Sequence, residues 1–448
     1  MKNYYQRLSF LVLLALALSV NTASAGGYAI LEQSAEGVGT AFAGSVTGYS
    51  DGSAAFFNPA ALTQHNKTTI SGGAHAVITS ADFTNTGSTV SGFPNRGSNG
   101  PDGGDTGIVP NFYVVQPVSE KLVTAFMVNA PFGLKTEYDR TWVGRYQAVK
   151  SDLSTINLGS AVAYEITDQF SVGARGGAFY TSAELTNAID FGSVAYGALG
   201  AETASALGFV PQGNDGFLAL EGEDWSPNWG LGGTFRFGPS NRNTIGIAYA
   251  SKSDVHLHGK QANFEVPTSA LALTSMGTFT DTGARANTTL PESVTFGASY
   301  WVTDCVELLY ESQWTRWGRF KELRIKYDNQ AQPDSVVDEN WENTWRHSVG
   351  ARYLPGGSWD FSGGIAYDQE PIPDDNHRTP RIPGNDRFWL AAGLGYSIND
   401  DLRLALNYAH LFIDDARSNT TGPTGDVFQG EWDLGVDIVA ASLTYSWS

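Results

Sequence analysis

From about Asn66 to the C-terminus, apolar residues return at every second position. Phe388, Leu390, Ala392, Leu394, Tyr396 and Ile398 share one face, with Ala391, Gly393, Gly395 and Ser397 on the other. A period of two is that of a β-strand. Asn399-Asp400-Asp401 then turns the chain, and Leu402, Leu404, Leu406 and Tyr408 alternate with Arg403, Ala405 and Asn407. An arginine between leucines is costly in a sandwich core, but it suits a strand with lipid on one side and a wet lumen on the other. The last segment repeats the pattern, with Val439, Ala441, Leu443, Tyr445 and Trp447 against Ser442, Thr444 and Ser446.

Counting such segments gives strands starting near 66, 109, 121, 144, 169, 223, 243, 289, 305, 340, 358, 385, 401 and 430. That is fourteen, an even number, as single-chain bacterial barrels require. Short turns fall near Ser119-Glu120, Thr167-Asp168, Pro239-Ser240, Thr303-Asp304, Pro355-Gly356 and Asn399-Asp400, the expected periplasmic end. Longer polar stretches near 82–108, 189–222, 260–288, 328–339, 371–384 and 417–429 alternate with them and are the expected external loops. The expected fold is all-β: a transmembrane, fourteen-stranded antiparallel barrel over residues 66–448.

Residues 26–65 break the alternation. They are rich in Gly, Ala and Ser, and Gly37-Val38-Gly39-Thr40-Ala41-Phe42-Ala43-Gly44 has small-residue helical spacing. A fourteen-stranded barrel has room for a plug, so this segment is expected to fold inside it as a mostly helical hatch; a periplasmic tail is the alternative. Before it, Lys2 and Arg7 precede the apolar run Leu8 to Val20 and the small residues Ala23-Ser24-Ala25. This is the pattern of a secretory leader over residues 1–25, cut after Ala25. Beyond Gly26 no run approaches the ~20 apolar residues of a membrane helix. A spanning structure must then be a closed barrel, because lipid leaves no backbone group a partner outside the protein.

Composition adds detail. Gly 51, Trp 12, Tyr 19 and Phe 24 suit aromatic girdles and a glycine-lined lumen, while the lone Cys305 can form no internal disulfide. A formal charge of −19, two units more negative without Lys2 and Arg7, disfavours nucleic acid as a partner.

Several pieces together resemble the FadL-type transporters of long-chain fatty acids and hydrocarbons. They are Gly26-Gly27-Tyr28, the small-residue stretch Gly37 to Gly44, and Asn58-Pro59-Ala60 before the first strand. Asn129-Ala130-Pro131-Phe132-Gly133, Trp314-Thr315-Arg316-Trp317 and the run Arg381-Ile382-Pro383-Gly384-Asn385-Asp386-Arg387-Phe388-Trp389-Leu390 follow in order. The resemblance implies a hatch bearing the Asn-Pro-Ala motif, a groove among external loops, and an apolar pocket inside the barrel. It also implies sideways exit at a kinked third strand. Pro131 donates no ladder hydrogen bond and Gly133 lets the chain bend, so pairing is expected to fail there; a strand that simply ends at Pro131 is the other reading. Expected partners are a hydrophobic small molecule, outer-membrane lipid and lipopolysaccharide, and the barrel assembly machinery, with the chain acting as a monomer and needing no cofactor.

Ligand choice is read from basic residues facing the lumen, since a carboxylate calls for a cation in an otherwise apolar pocket. Alternation points Arg175, Arg346, Arg352 and Arg403 inward. Fatty-acid-transporting relatives are expected to carry a basic residue two places after Tyr180; here Ser182 stands there, which keeps aromatic hydrocarbons in play. Three further motifs carry little. Gly48-Tyr49-Ser50-Asp51-Gly52 matches a serine-nucleophile pattern but lacks the strand and helix that pattern needs. His256-Leu257-His258 lacks a third metal ligand nearby in sequence. Pro373-Asp374-Asp375-Asn376-His377 reads as a solvated loop, with a divalent cation as the alternative. The expectation is a transporter, not an enzyme; the rivals are a barrel lipid hydrolase, which would need a Ser/His pair on the lipid-facing rim where none stands out, and a general diffusion porin, which would show a polar constriction loop and no hatch.

Overall fold

A computed structural model describes residues 27–259 and 261–447; the expected leader over residues 1–25, and Gly26, lie outside the described residues. Fourteen antiparallel strands close into a barrel. The first five are β1 (Thr68–Asn85), β2 (Thr106–Pro117), β3 (Leu122–Glu137), β4 (Lys150–Glu165) and β5 (Phe170–Asp190). Then come β6 (Asp215–Phe237), β7 (Asn243–Ala250), β8 (Ser293–Trp301), β9 (Val306–Thr315) and β10 (Thr344–Tyr353). The wall is completed by β11 (Trp359–Asp368), β12 (Arg387–Ser397), β13 (Leu402–Ile413) and β14 (Val427–Trp447). β14 pairs with β1 from Thr68↔Trp447 to Asn85↔Gly430, which closes the cylinder. No described helix is long and apolar enough to cross a membrane.

The in-and-out pattern follows the sequence. On β13, Leu404, Leu406 and Tyr408 are exposed while Ala405 and Asn407 are buried; on β14, Val439, Leu443 and Tyr445 are exposed and Ser442 and Thr444 buried. Tight turns join strand pairs at one end, as where Ile166 N–H donates to Phe170 O and Ile398 N–H to Leu402 O. Two strand starts differ from expectation by more than four residues. β5 and β6 run on as a ribbon to Asp190↔Asp215, which starts β6 eight residues before the expected 223. The stretch expected as a loop shrinks to two short helices, Phe191–Leu199 and Ala201–Ala206, because Ile189, Phe191, Leu218 and Leu220 bury one another above the wall. β4 starts at Lys150, not 144, because Gly144–Ala148 makes a turn closed by Ala148 N–H on Gly144 O.

Residues 27–64 lie inside the barrel. They form a helix α1 (Ala35–Gly39), a single turn α2 (Ala54–Phe57) and a 3₁₀ helix (Pro59–Gln64), joined by tight turns. The segment is in part helical, less so than its spacing implied. Glycines on the inner wall make room for it: a side chain at Gly173, Gly232, Gly246, Gly364 or Gly393 would strike Ala60, Asn58, Val46, Thr40 or Gly39. Asn58 is the hub. Its Oδ1 accepts from Ala60 N–H, and its Nδ2 donates to Val46 O at 2.6 Å and to Gly233 O of β6 at 3.2 Å. Pro59 occupies the first turn of the 3₁₀ helix, where its missing N–H costs nothing. Asn-Pro-Ala is therefore both a local turn and a tether to the wall.

Because lipid-facing and lumen-facing positions alternate, a polar substitution has unequal consequences on neighbouring residues. Leu406→Arg is expected to destabilise the inserted barrel by about 2–4 kcal/mol, and Ala405→Ser by less than about 1 kcal/mol, read by denaturant unfolding in lipid vesicles.

Candidate functional site: a break in the barrel wall

The wall is discontinuous at β3. Pairing of β2 with β3 runs from Pro117↔Val123 to Phe112↔Val128 and stops, although β2 stays paired with β1 up to Ile78↔Thr106. On the other side, β3 pairs with β4 to Asn129↔Asn157 and resumes at Phe132↔Thr155, a one-residue bulge formed by Ala130 and Pro131. Pro131 has no N–H to offer a ladder. The bulge has a second consequence, because an inserted residue moves all later side chains to the opposite face. Below it the odd residues Val123, Ala125 and Met127 are buried; above it Leu134 and Thr136 are buried and Phe132 packs inward.

The N-terminal segment fills the break. Ile30 N–H donates to Pro131 O at 2.9 Å, Gly133 N–H donates to Tyr28 O at 3.0 Å, and Ala29 and Phe132 face each other as antiparallel partners. One step below, the Gln33 side chain acts as a further piece of strand. Its Nε2 donates to Ala130 O at 2.8 Å, and its Oε1 accepts from Ala130 N–H at 3.1 Å. Both backbone groups of Ala130 are thus satisfied by one side-chain amide.

An apolar cluster lies directly behind. Tyr28, Leu134, Phe179, Trp317, Phe320 and Trp341 are buried together, with Ile372 and Ile382 from the β11–β12 loop and Phe132 against them. The Tyr28 ring sits 4.7 Å from Trp317 and 5.7 Å from Trp341, centre to centre. A side chain at Gly27 would meet both tryptophans at 2.7–2.8 Å, and its φ of +64° favours glycine, which accounts for Gly-Tyr at this point. The loop after β11 roofs the cluster. Arg381 donates to Lys150 O and Ser151 Oγ, while Thr136 Oγ1 and Tyr138 OH donate to the carbonyls of Arg381 and Pro380. Beside this roof a small cavity of about 60 Å³ lies between Thr79–Ala81, Leu134–Thr136 and Ile382–Gly384.

One acid group beside the cluster is shifted by burial. Glu339, in the loop before β10, accepts from Trp341 Nε1–H at 3.0 Å, yet desolvation pushes its carboxyl up to about 8.

All four arginines expected to face the lumen do so, and each is engaged. Arg346 donates to Ala41 O at 2.7 Å and lies over the Trp389 ring, holding a turn where Ala41 and Phe42 take left-handed φ of 48° and 58°. Arg352 pairs with Glu307 at 2.8 Å, and Arg403 pairs with Glu36 at 2.9 Å and with Asp360. Arg175 donates to Asn228 Oδ1 and lies over the Phe56 ring. The other two candidates point elsewhere. Phe179 and Thr181 take the buried positions of β5, so Tyr180 and Ser182 stand on its outer face. Tyr180 donates to Glu223 at 2.6 Å, and Ser182 Oγ lies 2.9 Å from Ser154 Oγ. Ser182 therefore gives no information about the lumen's affinity for a carboxylate. Reasoning from sequence missed Gln33, whose partner is 97 residues away; only the failure of pairing expected at Pro131 hinted that something must replace the ladder.

A family model described as outer membrane protein transport protein (OMPP1/FadL/TodX) matches residues 16–447. The chain belongs to this family. A long-chain fatty acid transport protein of Escherichia coli O6:H1 is 28% identical over 405 residues, 89% of each chain. A 47 kDa outer membrane protein of Pasteurella multocida is 30% identical over 402 residues, 89% of this chain and 90% of that one. Among solved structures, a Pseudomonas aeruginosa FadL homologue superposes with a TM-score of 0.86 at 23% identity, covering 95% of this chain and all of that one. The Pseudomonas putida toluene transporter TodX gives 0.67 at 16% identity, covering 94% and 98%. This FadL-family chain is thus an outer-membrane barrel whose family transports hydrophobic compounds.

The Glu339 shift sets a pH dependence. A carboxyl raised in the folded state contributes its stability in full below its ordinary value and loses it as pH rises through about 8. The thermal midpoint is expected to fall between pH 5 and pH 9, and Glu339→Gln to make that fall smaller, as measured by circular dichroism in detergent.

Proposed function

We propose that this transporter passively takes up long-chain fatty acids or similarly apolar molecules, which lodge in the cluster around Tyr28, Trp317 and Trp341 and leave sideways through the break in β3. One observation carries the reading: at the break, the wall's ladder is replaced by residues 28–33, a segment not bound to β3 by continuous pairing. Burying a methylene is worth ~0.8 kcal/mol, so a sixteen-carbon tail resists release into water by roughly 12 kcal/mol. A path that opens into the membrane avoids that aqueous step. Relatives named long-chain fatty acid transport protein support the acid as cargo. The many rings around the cluster favour a second reading, monoaromatic hydrocarbons, in line with the neighbour named toluene transporter.

Ala29 and Phe132 are partners flanked by hydrogen bonds that neither makes to the other, the close-spaced antiparallel arrangement that a disulfide can bridge. Ala29→Cys with Phe132→Cys, in a Cys305→Ser background, should bolt residues 28–30 to β3. In a host lacking its own transporter, radiolabelled oleate uptake is expected to fall at least tenfold on oxidation and to recover on reduction. Equal uptake in both states would rule out exit at this point. Uptake of toluene but not oleate by the reduced protein would favour the second cargo.

A further inference from the structure

A line of buried polar side chains crosses the barrel wall and ends at the segment in the break. Arg175 Nη1 donates to Asn228 Oδ1 at 3.4 Å, Asn228 Nδ2 to Asn157 Oδ1 at 3.0 Å, and Asn157 Nδ2 to Asn129 Oδ1 at 2.8 Å. Asn129 Nδ2 then donates to Tyr113 OH at 3.3 Å, and Tyr113 OH donates to the Gln33 carbonyl at 2.7 Å. Every donor points the same way, from β5 and β6 through β4, β3 and β2 to Gln33. Every member is at least nine-tenths buried.

We infer that this chain is a positioning relay, and that Gln33 is the latch it holds. Three features carry the inference. First, the relay bridges β2 and β3 through Asn129 and Tyr113, next to the point where their backbone pairing ends at Phe112↔Val128. Side chains there continue a connection that the ladder drops. Second, the relay fixes the backbone of the residue whose side-chain amide satisfies both backbone groups of Ala130. Third, a buried asparagine is costly unless its donors and acceptors are met, and in an antiparallel arrangement such amides bond only in one register. The line therefore favours one position of Gln33 over others. Moving the Gln33 backbone away from Ala130 stretches or breaks the Tyr113 bond, so displacement of residues 28–33 from the break is coupled to the state of the relay.

This inference rests on the proposed exit at β3, but its test is separable from that reading. In the Cys305→Ser protein in outer-membrane vesicles, a single cysteine at Ala29 reports the break through its rate of reaction with the membrane-permeant reagent N-phenylmaleimide. Tyr113→Phe removes only the oxygen that links Asn129 to Gln33, and Asn157→Leu cuts the relay in its middle at similar volume. Both are expected to speed labelling, Tyr113→Phe by roughly five- to tenfold, the factor set by losing the one hydrogen bond that reaches Gln33, and Asn157→Leu by a smaller factor, since its two lost bonds lie further back in the relay. Thr181→Val deletes a buried bond to Thr155 outside the relay and is expected to leave the rate unchanged. Gln33→Met, which removes the latch itself, should give the largest increase. Unchanged labelling in Tyr113→Phe and Asn157→Leu, with both barrels heat-modifiable on gels as folded proteins, would overturn the relay. An equal rise in Thr181→Val would overturn it too, since any loss of lumen polarity would then suffice. If labelling follows the relay while the Ala29–Phe132 disulfide leaves oleate uptake untouched, the relay stands and the exit route fails.

Discussion

Inside a membrane a backbone N–H or C=O without a partner is a loss of several kcal/mol, and this single constraint shapes the molecule. It forces closure of β14 on β1, and it forbids a simple gap in the wall. β3 nevertheless carries a proline and a bulge where the ladder to β2 stops. The groups freed there have to be met from within, and residues 28–33 meet them with two backbone bonds and one glutamine amide. The N-terminal segment is consequently both the content of the lumen and a part of its wall.

That double role explains features that look unrelated along the chain. Inner-wall glycines on five strands leave room for the segment's backbone. Asn58 ties its far end to β6, Glu311 holds Ser45 and Val46, and Arg346 holds Ala41. The portion from Ala35 to Gln64 is thus fixed to the wall at several points. The portion from Tyr28 to Gln33 is held chiefly at the break and against the aromatic cluster. On the proposed route, a ligand entering that cluster would compete for the surface that Tyr28 occupies, so that binding and opening would fall on the same few residues.

Much of this architecture was legible in the sequence. Period-two alternation and the rhythm of short turns and long loops gave the number of strands, because a lipid face and a lumen face differ chemically at every step. The break was legible as well, since Pro131 cannot donate. What fills it was not: alternation tells whether a side chain points in or out, not what it meets across the lumen. Nothing in the sequence singles out Asn157 or Asn228, and Asn129 stands out only as a neighbour of Pro131, until the register of four strands brings the three into line. The bulge also reverses the facing of Phe132 and Leu134, so extrapolating the pattern of β3 past Asn129 would have put them in lipid. Tyr180 and Ser182 show the converse, since a motif offset carried over from relatives does not fix the face on which a residue stands.

On the proposed route, residues 28–33 serve as a removable piece of the wall. Native-state amide hydrogen exchange in lipid nanodiscs tests it most directly. Ile30, Ala130 and Gly133 are expected to exchange at a common rate, faster than neighbouring amides of β4, and added oleate to speed all three together. Protection of Ala130 and Gly133 that persists while Ile30 exchanges freely, with or without oleate, would contradict it.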